Sequence, residues 1–230
     1  DMTSLILAEK HAAWSDIAKK IAHEVKNPLT PIKLAAERIE KKIIEKSINF
    51  KDINNLTQTI SKQVDGIGKL IDEFSSFARM PKAETKLDNL SKTLKESFNL
   101  FVNSYPKVNI KLLSKTKDIY FQFDRFQITQ AFNNIIKNSV EAVINIPNPS
   151  ITLDLLENNN QIEFIVKDNG VGVDENKISK YFEPYFTTKD KGTGLGLSIV
   201  KKIIEDHGGI IKIEKNKNMA GTTTVITFDI

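Results

Sequence analysis

The sequence predicts two folded parts in series: an all-α antiparallel helical hairpin over residues 1–82, then an α+β two-layer sandwich over residues 83–230. Three observations carry this expectation. Of the ten glycines, only Gly66 and Gly68 precede residue 169, and five fall between Gly170 and Gly196. Ahead of them, apolar residues recur at steps of three and four, the period of one helix face. Behind them, short β-patterned runs and hairpins alternate irregularly with helical runs, which favours a two-layer sandwich over a doubly wound parallel sheet.

In chain order, residues 9–46 place Ala18, Ile21, Val25, Leu29, Ile32, Ala36, Ile39 and Ile43 on one stripe. Residues 51–80 repeat it with Ile53, Leu56, Ile60, Val64, Ile67, Ile71, Phe74 and Ala78. The short polar link at 46–52 makes an antiparallel hairpin. Two helices bury little, so the stripe is expected to meet a second copy through residues 9–80 and form a four-helix dimer. Pro28 and Pro31 either bend the first helix or end it, and the apolar period, continuing in phase beyond them, favours a bend. After a linker at 82–86, a helix is expected at 87–105, strands at 108–114 and 119–123, and an amphipathic helix at 124–146. A hairpin of strands 151–157 and 161–168 turns about Asn158, Asn159 and Asn160. A helix at 193–207 stops at Gly208 and Gly209, and strands at 210–215 and 222–230 close the chain.

Composition excludes several function classes. The 230 residues contain no Cys, so disulfide scaffolds and Cys-ligated zinc modules are ruled out. No apolar run is long enough to span a bilayer, and no signal peptide is recognisable. Lys and Arg total 33 against 29 Asp and Glu, a formal charge of +4. That mild surplus, nearly all Lys and without interleaved aromatics, reads as a solvated surface and not as a nucleic-acid groove.

Four segments carry chemistry. In Ala22-His23-Glu24-Val25-Lys26-Asn27-Pro28, His23 lies two positions from both Ile21 and Val25, about 200° away from each on a helix, so it faces water. Asn27 shares its face. An exposed imidazole with a neighbouring carboxylate and an amide one turn on has the parts for phosphoryl transfer to nitrogen. In Asn134-Ile135-Ile136-Lys137-Asn138-Ser139-Val140-Glu141, Asn134, Asn138 and Glu141 form a polar ridge whose oxygens suit Mg²⁺. Asp168-Asn169-Gly170-Val171-Gly172 follows an apolar strand, where a carboxylate and close-approaching backbone can meet a ligand. Gly192-Thr193-Gly194-Leu195-Gly196 opens a helix with unobstructed amides, a phosphate cradle; ahead of it Lys189 can meet a phosphate charge, and Phe182 and Phe186 look like hinge anchors. Taken singly, each has an ordinary alternative: a surface histidine, a solvated helix face, an Asp-Asn-Gly turn, core aromatics.

Together and in this order, the segments resemble the sensor histidine kinases of two-component systems. Their H, N, G1, F and G2 boxes are matched at 23–28, 134–142, 168–172, 182–186 and 192–196, and Gly221-Thr222-Thr223 resembles their late glycine motif. The run from His23 to Ile32, with Ala36-Glu37-Arg38, looks most like the nitrogen-regulation (NtrY) branch. The resemblance covers nearly the whole chain. It implies a dimerisation and histidine-phosphotransfer hairpin followed by a Bergerat-type (GHKL) ATP-binding domain. It also implies ATP and Mg²⁺ as cofactors, and an NtrX-like response-regulator receiver domain as partner, with regulator phosphatase activity besides. The chain would then be the cytoplasmic portion of a bacterial inner-membrane protein whose membrane segments lie outside this sequence.

On the matching residues, His23 would accept the γ-phosphoryl group, with Glu24 as general base and Asn27 placing phosphate and serving dephosphorylation. Asn138 would be the principal Mg²⁺ ligand, with Asn134 beside it. Asp168 would bind the adenine amino group, with Gly170 and Gly172 lining that pocket. The amides of Gly192, Thr193, Gly194, Leu195 and Gly196 would meet the phosphates, and Thr223 belongs to the same site. One departure stands out: Glu141 occupies a position where many family members carry Lys or Arg, so the cation for the γ-phosphate would be Lys189 or Lys137. ATPases of the same superfamily place a Glu where this chain has Asn134, and an amide cannot take a proton from water. Transfer to His23 is therefore expected over hydrolysis. A kinase-inactive scaffold or regulator phosphatase, and a GHKL-type ATPase, are the competing readings.

Overall fold

The computed structural model describes the backbone of residues 2–47, 49–78, 81–113, 118–158, 160–189, 192–217 and 219–230. It describes their side chains from residue 21 onward, except those of 69, 73 and 76–78. The expected roles of Ala18, Ala78, Asn159 and Ser114 fall outside the described residues or side chains. The chain divides into two units, Asp1–Arg79 and Met80–Ile230.

The first unit is a helical hairpin of α1 (Met2–Ile44) and α2 (Phe50–Ala78). α1 runs through Pro28 and Pro31 without ending. Each proline removes one backbone donor, so the carbonyls of Glu24 and Asn27 lose their i+4 partners. α1 stops in a Schellman-type cap: Lys46 adopts φ +51°, Ser47 N–H bonds to the Lys42 carbonyl at 2.9 Å and Lys46 N–H to that of Ile43 at 3.0 Å. Asn49 then caps α2, its Oδ1 accepting from Asp52 N–H at 2.9 Å. A Lys42–Asp52 ion pair at 2.6 Å ties the two helix ends across the turn. Ala35 and Leu70 are buried between the helices, whereas Leu29, Ile43, Val64 and Ile71 remain about half exposed.

The second unit builds two sheets. β1 (Lys86–Asn89) pairs antiparallel with β3 (Tyr120–Phe123). The five-stranded sheet has the order β2-β4-β5-β7-β6, formed by β2 (Asn109–Leu112), β4 (Ser150–Asn158), β5 (Gln161–Asp168), β6 (Gly209–Lys215) and β7 (Thr222–Asp229). The β2–β4 pair is parallel and the others are antiparallel. Helices α3 (Leu90–Ser104), α4 (Arg125–Val143) and α5 (Gly196–Asp206), with an eight-residue 3₁₀ helix at Glu175–Phe182 between β5 and α5, complete the unit. Alternate residues of β4, β5 and β7, among them Leu153, Phe164 and Phe228, are fully buried, as are Phe132, Ile136 and Ile203 from the helices. Phe132 and Phe164 meet with ring centroids 4.5 Å apart. This is the expected two-layer sandwich, its apolar face provided by period-2 strands and period-3.6 helices.

Several boundaries differ from expectation: α4 ends at Val143, three residues short of the expected 146, and two further differences bear on how the unit is built. Residues 87–89 belong to a strand, not to the start of a helix, because β1 finds a partner in β3 and Asn89 caps α3 by accepting from Lys92 N–H at 2.9 Å. α5 starts at Gly196 and not at Thr193, since Gly194 sits at φ +69°, outside helical space. Asp124 caps α4, and its own N–H donates to His207 Nε2 at 2.9 Å while His207 Nδ1 reaches the Ile203 carbonyl at 2.7 Å. The imidazole thereby joins the start of α4 to the end of α5.

Candidate nucleotide and phosphoacceptor sites

β5 is the central strand of the larger sheet, and its buried positions Ile162, Phe164, Val166 and Asp168 share one face. The period that buries three apolar side chains therefore drives a carboxylate into the core side at the strand's end. Asp168 is only 5% exposed. Its Oδ1 accepts from Gly170 N–H at 2.9 Å and Thr222 N–H at 3.2 Å, and its Oδ2 accepts from the Ser139 hydroxyl at 3.2 Å. Burial pushes the Asp168 carboxyl above the usual carboxylate range; the three donors and the nearby Lys189 charge oppose that rise without cancelling it.

The glycines around Asp168 are required by close approach. A Cβ on Gly221, at φ +112°, would stand 1.9 Å from the Asp168 carbonyl oxygen, and one on Gly170 would stand 2.7 Å from Ala142. Asn216 locks the same corner: its amide donates to the Asp168 carbonyl at 2.8 Å and its Oδ1 accepts from the Thr223 hydroxyl at 2.6 Å. Thr223 thus acts on Asn216, and the contact to the carboxylate comes from the backbone of Thr222.

At the other end of the site, the α4 ridge meets the segment ahead of α5. Lys189 Nζ lies 2.5 Å from Glu141 Oε2 and donates to Asn138 Oδ1 at 3.2 Å. Asn134 is half-buried one turn earlier, and Lys137 is exposed. The position of Gly196 faces Asn138 Nδ2, 4.0 Å from where its Cβ would be. Helix α5 has no side-chain N-cap, so its first-turn amides keep hydrogen-bonding capacity for an anion. The Tyr185 N–H bonds to the Gly194 carbonyl at 2.9 Å and joins the two ends of the intervening loop. A Cβ on Gly194 would fall 2.4 Å from Tyr185 backbone, and one on Gly192 would fall 2.5 Å from Thr187 Oγ1. Phe182 and Phe186 are half-buried, with Phe186 edge-on to Tyr181 at 5.4 Å. The core aromatic of this segment is Tyr185, whose burial raises its phenol to about 12.

On α1, His23 and Asn27 are exposed and Glu24 is half-buried, as the helical phase requires. Val25, Ile21, Leu29 and Phe74 line an apolar groove beside them.

The structure brings together Asn138, Glu141 and Lys189 at one end, and Asp168, Gly170 and Gly221 at the other. Sequence reasoning missed Ser139 and Asn216. Ser139 was findable, because it is the polar member of the stripe Phe132, Ile136, Ser139, Val143. Asn216 carries no such signal, as it follows the end of β6 in an irregular turn.

This arrangement defines a nucleotide-binding sandwich preceded by a histidine-bearing helical hairpin. Residues 123–230 match the family of histidine kinase-, DNA gyrase B- and HSP90-like ATPases, and residues 13–82 match the His Kinase A (phospho-acceptor) domain. The catalytic domain of histidine kinase ThkA is 32% identical, covering 64% of this chain and 95% of that domain, with a TM-score of 0.58. The chain belongs to the histidine kinases. It is 39% identical to the nitrogen regulation protein NtrY of Azorhizobium caulinodans over 93% of its length, and 32% identical over 88% to the sensory histidine kinase/phosphatase NtrB of Rhizobium leguminosarum bv. phaseoli. It spans 28% and 55% of those two relatives. In the fold alone it resembles ThkA solved in complex with the response regulator protein TrrA, with a TM-score of 0.79 and 24% identity. Among the described residues, no helix is long and apolar enough to cross a membrane.

Proposed function

We propose that the chain is the catalytic core of an ATP-dependent protein-histidine kinase that phosphorylates His23 and passes the phosphoryl group to an aspartate of an NtrX-like receiver domain. The observation that carries this reading is the buried Asp168 carboxylate, whose Oδ1 is doubly occupied while Oδ2 holds one protein donor, in a chain that also exposes His23 on a helix. Asp168 Oδ2 has acceptor capacity for the adenine amino group, and the close-packed glycines at 170 and 221 let the backbone fold around it. The uncapped start of α5, with Gly196 at its head, would supply amide donors for the phosphates; ahead of it the Gly192 N–H is bonded to the Lys189 carbonyl at 3.3 Å and the Leu195 N–H to Thr193 Oγ1 at 3.4 Å.

One ring nitrogen of His23 attacks the γ-phosphorus while Glu24 takes the proton from the other nitrogen, and ADP leaves with the electron pair of the broken bond. Bound Mg²⁺ supplies neutralisation of the phosphate charge. Asn138 Oδ1, with Asn134 beside it, would hold it, and hard carbonyl oxygens fit that ion. Among the described residues no group of three or more His, Cys, Asp or Glu makes a metal cage, which suits an ion held largely by phosphate and water. Asn134 offers no base for water, which supports transfer over hydrolysis.

The first unit would act as a homodimer. Leu29, Ala36 and Ile43 recur every seven residues on its exposed surface, as do Val64 and Ile71, a spacing suited to a bundle seam. The family resemblance also supports a cytoplasmic location beside a bacterial inner membrane. Regulator phosphatase activity is a second function of the same helix, favoured by the exposed Asn27 one turn from His23.

Incubation with γ-labelled ATP and Mg²⁺ tests the proposal. Acid-labile label on His23, transferred to a receiver domain, supports it. Steady phosphate release independent of His23 would instead show an ATPase.

A further inference from the structure

The α4 stripe that packs against the sheet is apolar at Phe132, Ile136 and Val143, all at 0% exposure, yet Ser139 interrupts it at 5%. A buried hydroxyl without a strong partner costs stability, and here the partner is Asp168 Oδ2 at 3.2 Å. The two carboxylate oxygens are unequal. Oδ1 receives two backbone N–H groups, and among the described residues Oδ2 receives only Ser139. Oδ2 is therefore both the oxygen with spare acceptor capacity for a ligand donor and the one where a proton would settle. A carboxylate at Oδ2 accepts from the 6-amino group of adenine. A protonated Oδ2 donates instead, refusing an amino group and accepting a 6-oxo purine.

We propose that Ser139 is a positioning residue for purine recognition: its hydroxyl orients Oδ2 of Asp168 and keeps it an acceptor, so that the site selects a 6-amino purine over a 6-oxo purine. This rests on the proposed adenine role of Asp168 and deepens it. The groups around the carboxylate leave Ser139 this task. β5 and the following turn contribute the Gly170 N–H, the β6–β7 turn contributes the Thr222 N–H and neutral Asn216, and α4 contributes only neutral Ser139 at contact distance. The charged group acting on Asp168 is Lys189, which is itself paired with Glu141. Burial already favours the neutral acid, so loss of one donor at Oδ2 moves the balance further in that direction.

The test measures binding of ATP and inosine triphosphate to the full chain from pH 5 to pH 8.5. In Ser139→Ala, ATP affinity should fall about fivefold to tenfold at the alkaline end, as expected for a weakened charged acceptor. Its acid-side loss should move upward by about one pH unit relative to wild type, equivalent to one donor removed. The preference for ATP over inosine triphosphate should narrow, most at low pH. Comparison with wild type cancels titration of the nucleotide phosphates. Ser139→Cys, which keeps the volume with a weaker donor, should fall between, and carries the test alone if the alanine variant does not fold. A uniform loss of affinity at every pH with an unchanged nucleotide preference would overturn the proposal and leave Ser139 a packing residue. Asp168→Asn separates the two levels. If it abolishes the preference while the Ser139 variants leave the pH profile unmoved, only the Ser139 inference fails. If it leaves the preference intact, Asp168 does not read adenine and both readings fail.

Discussion

Replacing Asp168 by Asn should uncouple folding from nucleotide binding. The substitution is nearly isosteric, and an amide can satisfy the protein side of the network. Its oxygen takes the place of Oδ1 and accepts from Gly170 and Thr222 N–H, while its nitrogen takes the place of Oδ2 and donates to the Ser139 hydroxyl, reversing one bond. The charge, however, disappears from a buried position. The Asp168 carboxyl lies above its ordinary value, chiefly through desolvation. A folded-state value above the unfolded one means that its contribution to stability is fully present below the unfolded value, near pH 3.8, and is lost as pH rises through the folded value. At pH 7 the wild-type chain therefore holds a disfavoured charge, and the variant should melt at the same temperature or higher, with a flatter stability profile across the acid range. Binding should move the opposite way. The variant presents an N–H where adenine also presents one, so the loss is that of a hydrogen bond to a charged group, about 1.5–3 kcal/mol, or roughly 10- to 150-fold in Kd. Adenine is common to ATP and ADP, so both should weaken equally. Calorimetric titration with each nucleotide, paired with thermal melts from pH 4 to 7, checks the reasoning. Loss of ATP binding with ADP binding retained would refute it by showing that Asp168 serves the phosphate end. A clear fall in melting temperature at pH 7 would refute the stability argument.

Other expected outcomes concern the helix and the phosphate end. His23→Gln should abolish acid-labile labelling and leave ATP affinity within about twofold, the usual range for an exposed substitution; retained label would place the acceptor elsewhere. Asn27→Ala should slow regulator dephosphorylation by roughly 10²–10⁴-fold, the range for a positioned polar catalyst, and slow autophosphorylation much less. A parallel fall of both in a normally folded dimer would show a shared phosphate-placing role. Lys189→Met should weaken ATP by about threefold to tenfold, in line with a partly exposed charge contact, and leave adenosine binding unchanged. Equal weakening of adenosine would locate Lys189 at the base instead.

The parts of the fold legible in the sequence are those where one periodicity dominates. The helices α1 and α2, the β4–β5 hairpin and the buried face of α4 follow from spacing alone, although the residues of the helical hairpin buried most deeply, Ala35 and Leu70, lie next to the expected stripes and not on them. Spacing fails at 87–89, where Leu87 continues a helical pattern but the backbone pairs with β3. That choice depends on a partner strand more than thirty residues away, and local propensity carries no trace of it. At 193–195 the difference is local: Gly194 permits a left-handed turn, and the tertiary bond from Tyr185 N–H to its carbonyl makes use of it. The site divides in the same way. The phase of the pattern is enough to place His23 facing water and Asp168 at the end of an apolar strand, whereas the role of Asn216 depends on the β6–β7 turn closing over Asp168. Thr223 stands out by its motif, yet its hydroxyl works through Asn216, which a linear reading does not separate from a direct role.

The two ends of the proposed nucleotide site differ in how they can respond to a ligand. Asp168 is buried, its donors are backbone amides and a neutral hydroxyl, and Asn216 fixes its carbonyl. Such a network has no slack, so discrimination between bases is set by geometry and appears fully in affinity. Lys189 and Glu141 are about 40% exposed, and an exposed ion pair contributes roughly 0–1 kcal/mol. An incoming phosphate can therefore take the Lys189 ammonium from Glu141 at little cost, exchanging one charge partner for another. Freed of that ammonium, the neutral Asn138 Oδ1 would become available to a metal ion, with the Glu141 carboxylate close by. ATP and ADP differ only at this exchangeable end. On the proposed reading, transfer of the γ-phosphoryl group would remove negative charge where the chain already holds a replacement anion, and a re-formed Lys189–Glu141 pair would compensate for the departed phosphate. Glu141 fits this logic: were Lys189 the cation at the γ-phosphate, the helix position opposite would offer the anion that receives it once the phosphate has gone.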